Sequence, residues 1–304
     1  MSISIVLLVV ISALLHPLRV FLIKGDSTPE GLTLSVVIIF GCMSFFQIVL
    51  MGINPWKVFE IWPLIAISSL GLLLHFWCIV KSLRVGDFSV NYPIIRSSPM
   101  FVVVAGYIFL NHHYSMEILL GIAIVIISAF MIQYTPGGKY FSKPASLLLA
   151  VLAMCFHGII TLADAEAMKY VEPAAFLFIQ YLFVTPAMAL MFILTRPSGK
   201  NIYEYLFLGW KNKPLRFFFA GFTAYISYLL ILYSFRMGAN VAAVSAIRQI
   251  SIPFSVLIGG FYLLEKKMNY RLFWSLLLTL GVIITVSYTH LRAHETEADV
   301  VCRL

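Results

Sequence analysis

Charged residues are scarce in this chain: they make up 11% of it, whereas hydrophobic residues make up 61%. A soluble domain carries about 25% charged residues, so the composition excludes a fold whose main solvent is water. The mean hydropathy of +0.96 agrees with this exclusion. We therefore expect an integral membrane protein, and we assign the net charge of +8 to loop placement and anionic lipid rather than to nucleic acid.

Several patterns that build chemical sites are also missing. The four cysteines form no CxxC pair and three lie in apolar runs, which predicts buried small hydrophobes and neither a disulfide nor a metal site. No Gly-rich phosphate loop, nucleophile elbow or HExxH motif occurs, so we expect no enzyme and no cofactor. No basic patch is interleaved with exposed aromatics, so we expect no nucleic-acid partner. The N-terminus lacks the features of a signal peptide, and 3–23 is expected to remain as a helix.

Long apolar segments are abundant instead. A bilayer core takes about 20 apolar residues as a helix. Short connections rich in Gly, Pro, Asn and Asp separate the segments. The sequence therefore predicts an all-α polytopic membrane protein with ten transmembrane helices, at about 3–23, 32–53, 61–80, 88–110, 115–134, 145–168, 174–195, 215–235, 239–264 and 270–287.

One stretch of the chain occurs twice. Ser82–Arg96 matches Ser234–Arg248 after a shift of 152 residues, which is half of 304. An alignment on Pro99 and Pro253 instead shifts the register by two and turns one arginine to another face, so two registers stay open. In the first register the identical pairs are Ser82/Ser234, Arg84/Arg236, Gly86/Gly238, Ile95/Ile247 and Arg96/Arg248.

The repeat predicts two five-helix units, residues 1–135 and 144–287. Because five is odd, the second unit must insert upside down relative to the first. Inverted repeats of this kind are common in transporters, which bind substrate near the bilayer midplane between the repeats. Residues 288–304 are mixed polar and leave the pattern, and we interpret them as translated adaptor sequence or as a genuine short soluble tail.

Each half places an arginine inside an apolar segment, Arg96 in the fourth and Arg248 in the ninth. Arg96 lies about eight residues, or roughly 12 Å, into its predicted helix. A charge at such depth is expensive and marks a candidate functional site. We expect the pair to bind a carboxylate or phosphate, because arginine's planar fork suits both groups. The alternatives are a salt bridge to Asp164 or Glu166, or a side chain that reaches a water-filled vestibule.

Three histidines are further candidates for binding substrate. His16 in the first segment and His157 in the sixth occupy corresponding places in the two halves, and His75 lies in the third. A buried histidine titrates near neutral pH and can carry a coupling proton. The alternative is a neutral imidazole that is hydrogen-bonded within the bundle.

Four other side chains complete the candidate set. Tyr92 is expected to line the pocket, with packing in the bundle as its alternative. Asp164 and Glu166, near the end of the sixth segment, are candidates for proton coupling, although charges at a membrane boundary are more common. Arg19 lies close to the end of the first helix, from which we expect it to snorkel to the surface.

The repeated segment and its sequel resemble the EamA family of the drug/metabolite transporter superfamily. The resemblance covers residues 1–287 and implies two inverted five-helix repeats that export or exchange small metabolites. It is carried by Lys81–Gly86, Pro99 and the glycine-bearing fifth helix from Glu117, and in the second half by Tyr233–Gly238, Pro253, Leu263–Glu265 and Gly281.

The resemblance implies a secondary transporter of an amino acid or organic anion, with lipid and a proton as further partners. We expect a multi-pass protein of the bacterial inner membrane, as a monomer or homodimer. The alternatives are a flippase for a polyprenyl phosphate and a membrane scaffold that transports nothing. The loops after the odd-numbered segments hold thirteen basic residues, which would place both termini outside, whereas the family usually places them in the cytoplasm.

Overall fold

The structure is a computed structural model, and it describes residues 3–24, 28–98, 100–101, 116–133, 143–197, 199, 201–239, 244, 247–264 and 267–301. Within these ranges the regular secondary structure is helical, and no strand occurs. This confirms the all-α fold class. The helices are α1 Ile3–Lys24, α2 Pro29–Met51, α3 Trp62–Val85, α4 Phe88–Arg96, α5 Met116–Gln133, α6 Pro144–Ala167, α7 Pro173–Leu194, α8 Ile202–Leu206, α9 Leu208–Asn212, α10 Pro214–Arg236, α11 Ser251–Tyr262 and α12 Met268–Val301, with a 3-10 turn at Pro55–Ile61 before α3.

In the described part of the chain, six helical stretches are long and apolar enough to cross a bilayer. Three shorter apolar helices accompany them, at Leu119–Ala129, Ser251–Tyr262 and Met268–Ile284. The chain is therefore an integral, multi-pass membrane protein. The six long stretches are Ile3–Leu22, Pro29–Met51, Pro55–Val85, Pro144–Ala167, Pro173–Leu194 and Pro214–Arg236.

The predicted continuous helices over 88–110 and 239–264 need correction. Helix α4 ends at Arg96, and a turn at Ser97 separates it from the helical residues that follow. After Arg248 a turn at 249–250 likewise precedes α11, which begins at Ser251. Proline lacks an N–H and cannot complete a helical hydrogen bond, and Pro253 occupies the first turn of α11, where this costs little. Residues 102–110 lie outside the described residues.

The last helix is longer than its apolar part. The apolar stretch Met268–Ile284 ends close to the predicted 287, and α12 continues as one helix from Met268 to Val301. The polar residues from 288 onward therefore extend the helix. Helix formation needs only local backbone hydrogen bonds, so a change in polarity does not end a helix when no Gly or Pro intervenes.

The helices pack in a pattern that mixes the two halves of the chain. Helix α3 packs along α6, and α1 packs along α10. Helices α2 and α7, α4 and α11, and α5 and α12 form three further pairs, each with one helix from either half. A single apolar core of buried side chains from both halves results, with a smaller cluster between α5, α11 and α12.

Ion pairs tie the helix ends together at two faces of the bundle. At one face Glu30 pairs with Arg84, and Arg271 pairs with Asp87 through Nη2–Oδ2 at 2.8 Å. Glu30 and Arg271 lie in the first turns of α2 and α12, Arg84 lies in the last turn of α3, and Asp87 directly precedes α4. Arg236 pairs with Glu172 between the end of α10 and the start of α7, which lie at the other ends of their helices. The successive long helices thus run in alternating directions.

Candidate functional site

Arg96 is buried in the centre of the bundle, at the point where α4 ends. Its side chain is 2% exposed, and its Nε donates a hydrogen bond of 3.3 Å to Oγ of Ser251, the first residue of α11. The contact joins the two interrupted segments, one from each half. Among the described residues no carboxylate pairs with Arg96, so neither Asp164 nor Glu166 provides the salt bridge that the alternative interpretation required.

Arg248 occupies the matching place beside the second interruption. It is 4% exposed, and its Nε finds no hydrogen-bond partner in the described part of the chain. Asp164 is close enough to attract it electrostatically, but the two form no ion pair within 4.0 Å. A buried guanidinium that lacks a direct counter-charge is costly, and an anionic ligand would relieve this cost.

A third arginine belongs to this region, contrary to expectation. Arg19 does not snorkel: it is 5% exposed, and its guanidinium lies 4.9 Å from the ring centroid of Phe76 in α3. Its Nε has no hydrogen-bond partner within the described ranges. The aromatic face offers a weak cation–π contact but no neutralising charge. Arg19 follows His16 by three residues on α1, so the two share one side of that helix.

His157 links Arg96 to α6. Its Nε2 lies 3.5 Å from Nη1 of Arg96, and its Nδ1 lies 2.8 Å from Oγ of Ser98. Because the guanidinium only donates, Nε2 must accept, and the proton therefore lies on Nδ1, which donates to the serine. Gly158 permits the close approach of α6 to the residues that follow α4, since a Cβ there would lie 2.8 Å from the ring of Phe101 and 3.4 Å from the carbonyl oxygen of Ser98.

The other predicted aromatic candidates surround the same centre. His75 contacts the carbonyl oxygen of Ala153 through Nδ1 at 2.8 Å, and its ring centroid lies 5.1 Å from that of His157. The rings of His16 and Tyr92 lie 6.2 Å apart, on α1 and α4. The structure thus brings together candidates from four helices.

Asp164 forms a separate polar cluster with α3, α7 and α10. The carboxylate is buried and accepts hydrogen bonds from the hydroxyls of Ser68 and Tyr228. Gln180 donates from Nε2 to Oγ of Ser68 at 2.6 Å, which extends the cluster to a fourth helix. Every member comes from a different helix, so the cluster holds a negative charge at a point where both halves meet.

Glu166 does not belong to this cluster. Its side chain is largely accessible and accepts a hydrogen bond from Nζ of Lys169 at 2.6 Å. That bond raises the pKa of Lys169, because the carboxylate stabilises the ammonium. Glu166 is therefore a boundary charge, and of the two predicted carboxylates only Asp164 faces the interior.

The sequence reasoning missed a duplicated ion pair. Arg84 at the end of α3 binds Glu30 in the first turn of α2, with Nε donating to Oε1 at 2.6 Å. Arg236 at the end of α10 binds Glu172 directly before α7. The two arginines occupy matching positions of the internal repeat, and each glutamate is next to the proline that begins the second helix of its half. This shared pattern could have predicted the ion pairs from the sequence. Burial raises the pKa of Tyr205, whose ring lies 6.0 Å from the Arg84 guanidinium.

Two apolar cavities lie beside the polar centre. One of about 200 Å³ is lined by residues that include Ser97 of the α4 interruption and Met154 of α6. Another of about 460 Å³ lies between α2 and α7, where Phe45 and Leu182 form its outer walls and Tyr181 forms its base. Across the described ranges no three His, Cys, Asp or Glu side chains are grouped as metal ligands would be.

Comparisons with known proteins agree with this fold. The profile of the EamA-like transporter family matches residues 144–288, and no curated protein matches the sequence significantly. A solved structure titled "Crystal structure of protein" is similar over 96% of this chain and 99% of that chain, with a TM-score of 0.67 and 15% sequence identity, which shows a shared fold. Residues 144–288 thus match the EamA-like transporter family, and the rest of the chain is similar to known proteins in its fold alone.

Proposed function

We propose that the chain is a secondary transporter, an exporter or exchanger, of a small metabolite such as an amino acid or an organic anion. In this proposal the substrate's acidic group binds Arg96 and Arg248, between two inverted five-helix repeats at 1–135 and 144–287. Alternating access would rock one repeat against the other around this site. The membrane would be the bacterial inner membrane.

One observation carries the proposal: two arginines from equivalent repeat positions are buried together without an ion pair. Each arginine directly precedes the turn that interrupts its segment, and the hydrogen bond from Arg96 to Ser251 joins the two interruptions. Discontinuous helices at the repeat interface are a common way to expose polar groups to a substrate at midplane. Buried charge without a counter-ion in such a place argues for a transient ligand rather than for a stabilising role.

The packing pattern supports two halves related by a two-fold axis. If α1 to α5 correspond to α6, α7, α10, α11 and α12, exchanging the halves turns the α3–α6 contact into the α10–α1 contact, and both occur. The same exchange relates α2–α10 to α7–α3, and α4–α6 to α11–α1, which also occur. The pairs α2–α7, α4–α11 and α5–α12 map onto themselves. A two-fold axis through these three pairs would produce this pattern.

The duplicated ion pairs supply a second line of support. Arg84–Glu30 and Arg236–Glu172 join the end of the third helix to the start of the second helix in their respective halves. An axis in the membrane plane would place one pair at each face. We infer that the two pairs close the bundle at opposite mouths, and that alternating access opens them in turn.

We propose Asp164 as the principal proton-coupling group, with His157 as the second candidate. Asp164 is buried near Arg248, so substrate and proton binding would interact electrostatically. His157 contacts Arg96 directly, so a proton on Nε2 would break that contact. His16, His75 and Tyr92 would line the binding site, whereas Glu166 lies too far toward the surface to take part.

The flippase alternative is favoured by the cavity between α2 and α7. Its apolar walls include Phe45, an exposed side chain that would face lipid, and its base is Tyr181, which lies within electrostatic range of Arg19 and Asp164. A lipid chain in this groove would leave its phosphate near the arginines. This function predicts that activity requires a lipid-linked phosphate and that water-soluble anions neither bind nor cross.

The test is substrate flux in proteoliposomes that contain the purified full-length protein. We expect Arg248→Gln and Arg96→Gln each to lower transport at least tenfold, because each variant removes a charged group that would bind the substrate's acidic group. A tenfold loss of binding corresponds to about 1.4 kcal/mol. The matched control is Arg196→Gln at the end of α7, which removes an equal charge outside the site. Both variants must remain monodisperse in detergent, and Arg248→Lys keeps the charge without the planar fork.

Transport that survives both glutamine variants would refute the assignment of the site. A protein that moves no soluble anion, amino acid or lipid-linked phosphate under any gradient, yet stays folded, would refute the transporter and leave the scaffold alternative.

A further inference from the structure

We propose that the substrate carries two negative charges, as in a dicarboxylate or a phosphate monoester, and that Arg19 is the third guanidinium that binds it. This inference rests on the proposed function and names the substrate class of the same site. It assigns a role to a residue outside the duplicated stretch Ser82–Arg96. The charge balance of the buried residues carries it.

Arg19 lies beside the pair rather than at the surface. His75 and Phe76 have ring centroids 6.0 Å apart, the rings of His75 and His157 lie 5.1 Å apart, and His157 Nε2 lies 3.5 Å from Nη1 of Arg96. Arg19 also shares one side of α1 with His16, whose ring lies 6.2 Å from that of Tyr92 on α4. Phe76 contacts Arg19 on the side of α3 at 4.9 Å and holds its position.

The buried charges of this region do not cancel. Arg19, Arg96 and Arg248 contribute three positive charges, and Asp164 contributes one negative charge, which leaves two positive charges uncompensated. None of the three arginines belongs to any ion pair of the described residues. Among the described residues, the other acidic side chains lie at helix ends, in the short connecting segments or in the polar residues after 288.

Electroneutrality selects among the substrate classes. A zwitterionic amino acid has no net charge and leaves the excess of two positive charges unchanged. A monoanion removes one of these charges, and a dianion removes both. Because uncompensated charge in an apolar interior is expensive, the dianion should bind most tightly. Arginine binds carboxylate and phosphate oxygens in pairs, so one acidic group could contact Arg96 and Arg248 and the other Arg19.

Matched anions test the inference directly. Succinate and its monomethyl ester differ by one charge, and glycerol 3-phosphate and inorganic phosphate probe the phosphate class. Lactate and alanine serve as the monoanion and the zwitterion. Each compound is measured in proteoliposomes of the full-length protein as a competitor of succinate uptake, and in detergent by its shift of the melting temperature.

We expect succinate or glycerol 3-phosphate to bind at least tenfold more tightly than monomethyl succinate and lactate. Arg19→Gln should abolish this preference by weakening the dianion at least tenfold, while the affinity for monoanions changes less than threefold. Arg19→Lys retains the charge and should retain part of the preference, which also covers the case in which the glutamine variant does not fold. The surface variant Arg196→Gln should behave as the wild type.

The outcomes separate this inference from the proposed function. If lactate or alanine is transported as well as the dianions, in a manner that requires Arg96 and Arg248 but not Arg19, the transporter stands and the dianion inference is wrong. If Arg96→Gln and Arg248→Gln leave transport intact, the proposed site fails and the inference fails with it. Competition by both phosphate and succinate would support the shared dianion chemistry, and competition by one alone would identify the class.

Discussion

Loss of the Arg84 side chain should cost far more stability than loss of Arg236, although the two occupy identical positions of the repeat. Glu30 has no exposed side-chain surface, whereas the Arg84 side chain is 31% exposed. Removing the arginine would leave a buried carboxylate, and breaking a buried ion pair costs about 3–5 kcal/mol. Lys81 Nζ lies 3.9 Å from Glu30 Oε1 and compensates in part, so we expect about 3 kcal/mol.

The second pair provides the matched comparison. Arg236 and Glu172 are 35% and 39% exposed, and an exposed pair contributes about 0–1 kcal/mol. Arg236 also donates from Nη1 to the carbonyl oxygen of Val171 at 2.9 Å, which adds about 0.5–1.5 kcal/mol. Arg236→Ala should therefore cost about 1 kcal/mol, a difference of about 2 kcal/mol between the two variants.

Equilibrium unfolding of the purified protein in mixed detergent micelles measures both free energies of unfolding. Adding Glu30→Gln to Arg84→Ala should restore part of the lost stability, because the buried charge is then removed together with its partner. Equal losses for the two single arginine variants would refute the reasoning from burial. A double variant less stable than Arg84→Ala would show that Glu30 stabilises the fold without its arginine.

Three further results are expected. Gly31→Ala would place a Cβ 2.5 Å from the carbonyl oxygen of Leu206 and should lower the free energy of unfolding by about 1–3 kcal/mol. In the control Gly41→Ala the nearest atom would be 3.9 Å from the new Cβ, so the free energy of unfolding should change by less than about 0.5 kcal/mol. Similar values for both variants would contradict the close approach at Gly31. Ser68→Ala removes the partner shared by Asp164 and Gln180 and should cost about 1–3 kcal/mol in the same unfolding assay, with full stability as the contrary result. Asp164→Asn should abolish the dependence of uptake on a pH gradient in proteoliposomes while substrate counterflow continues, and a variant that still follows the gradient would exclude Asp164 as the coupling group.

The positions of most helices were predictable because hydropathy reports burial in lipid directly. The two interruptions at Ser97 and Ile250 were not, since an apolar run has the same hydropathy whether its helix is continuous or broken. The prolines nearby were visible, but a proline in the first turn of a helix and one in its interior look alike in sequence. The sequence consequently predicted two continuous helices where the structure has interrupted ones.

The polar residues of the centre were found in part. Arg96 and Arg248 were identified from depth and repetition, whereas Arg19 was assigned to the surface because its distance from the helix end allowed snorkelling. Its burial depends on Phe76 of another helix, and sequence distance does not report such a contact. Asp164 and Glu166 are two residues apart, so they point to opposite sides of α6, and only packing against α3 and α10 decides which one is buried.

The fixed positive charge of the interior has a consequence for the empty protein. In the proposed transporter, metal cations that approach the site would meet three guanidinium groups in a region of low dielectric constant, where like charges repel strongly. Arginines and other positive ends exclude cations from water-filled pores in this way. Arg19, Arg96 and Arg248 would therefore hinder the leakage of metal cations through the proposed transporter whenever no substrate is bound.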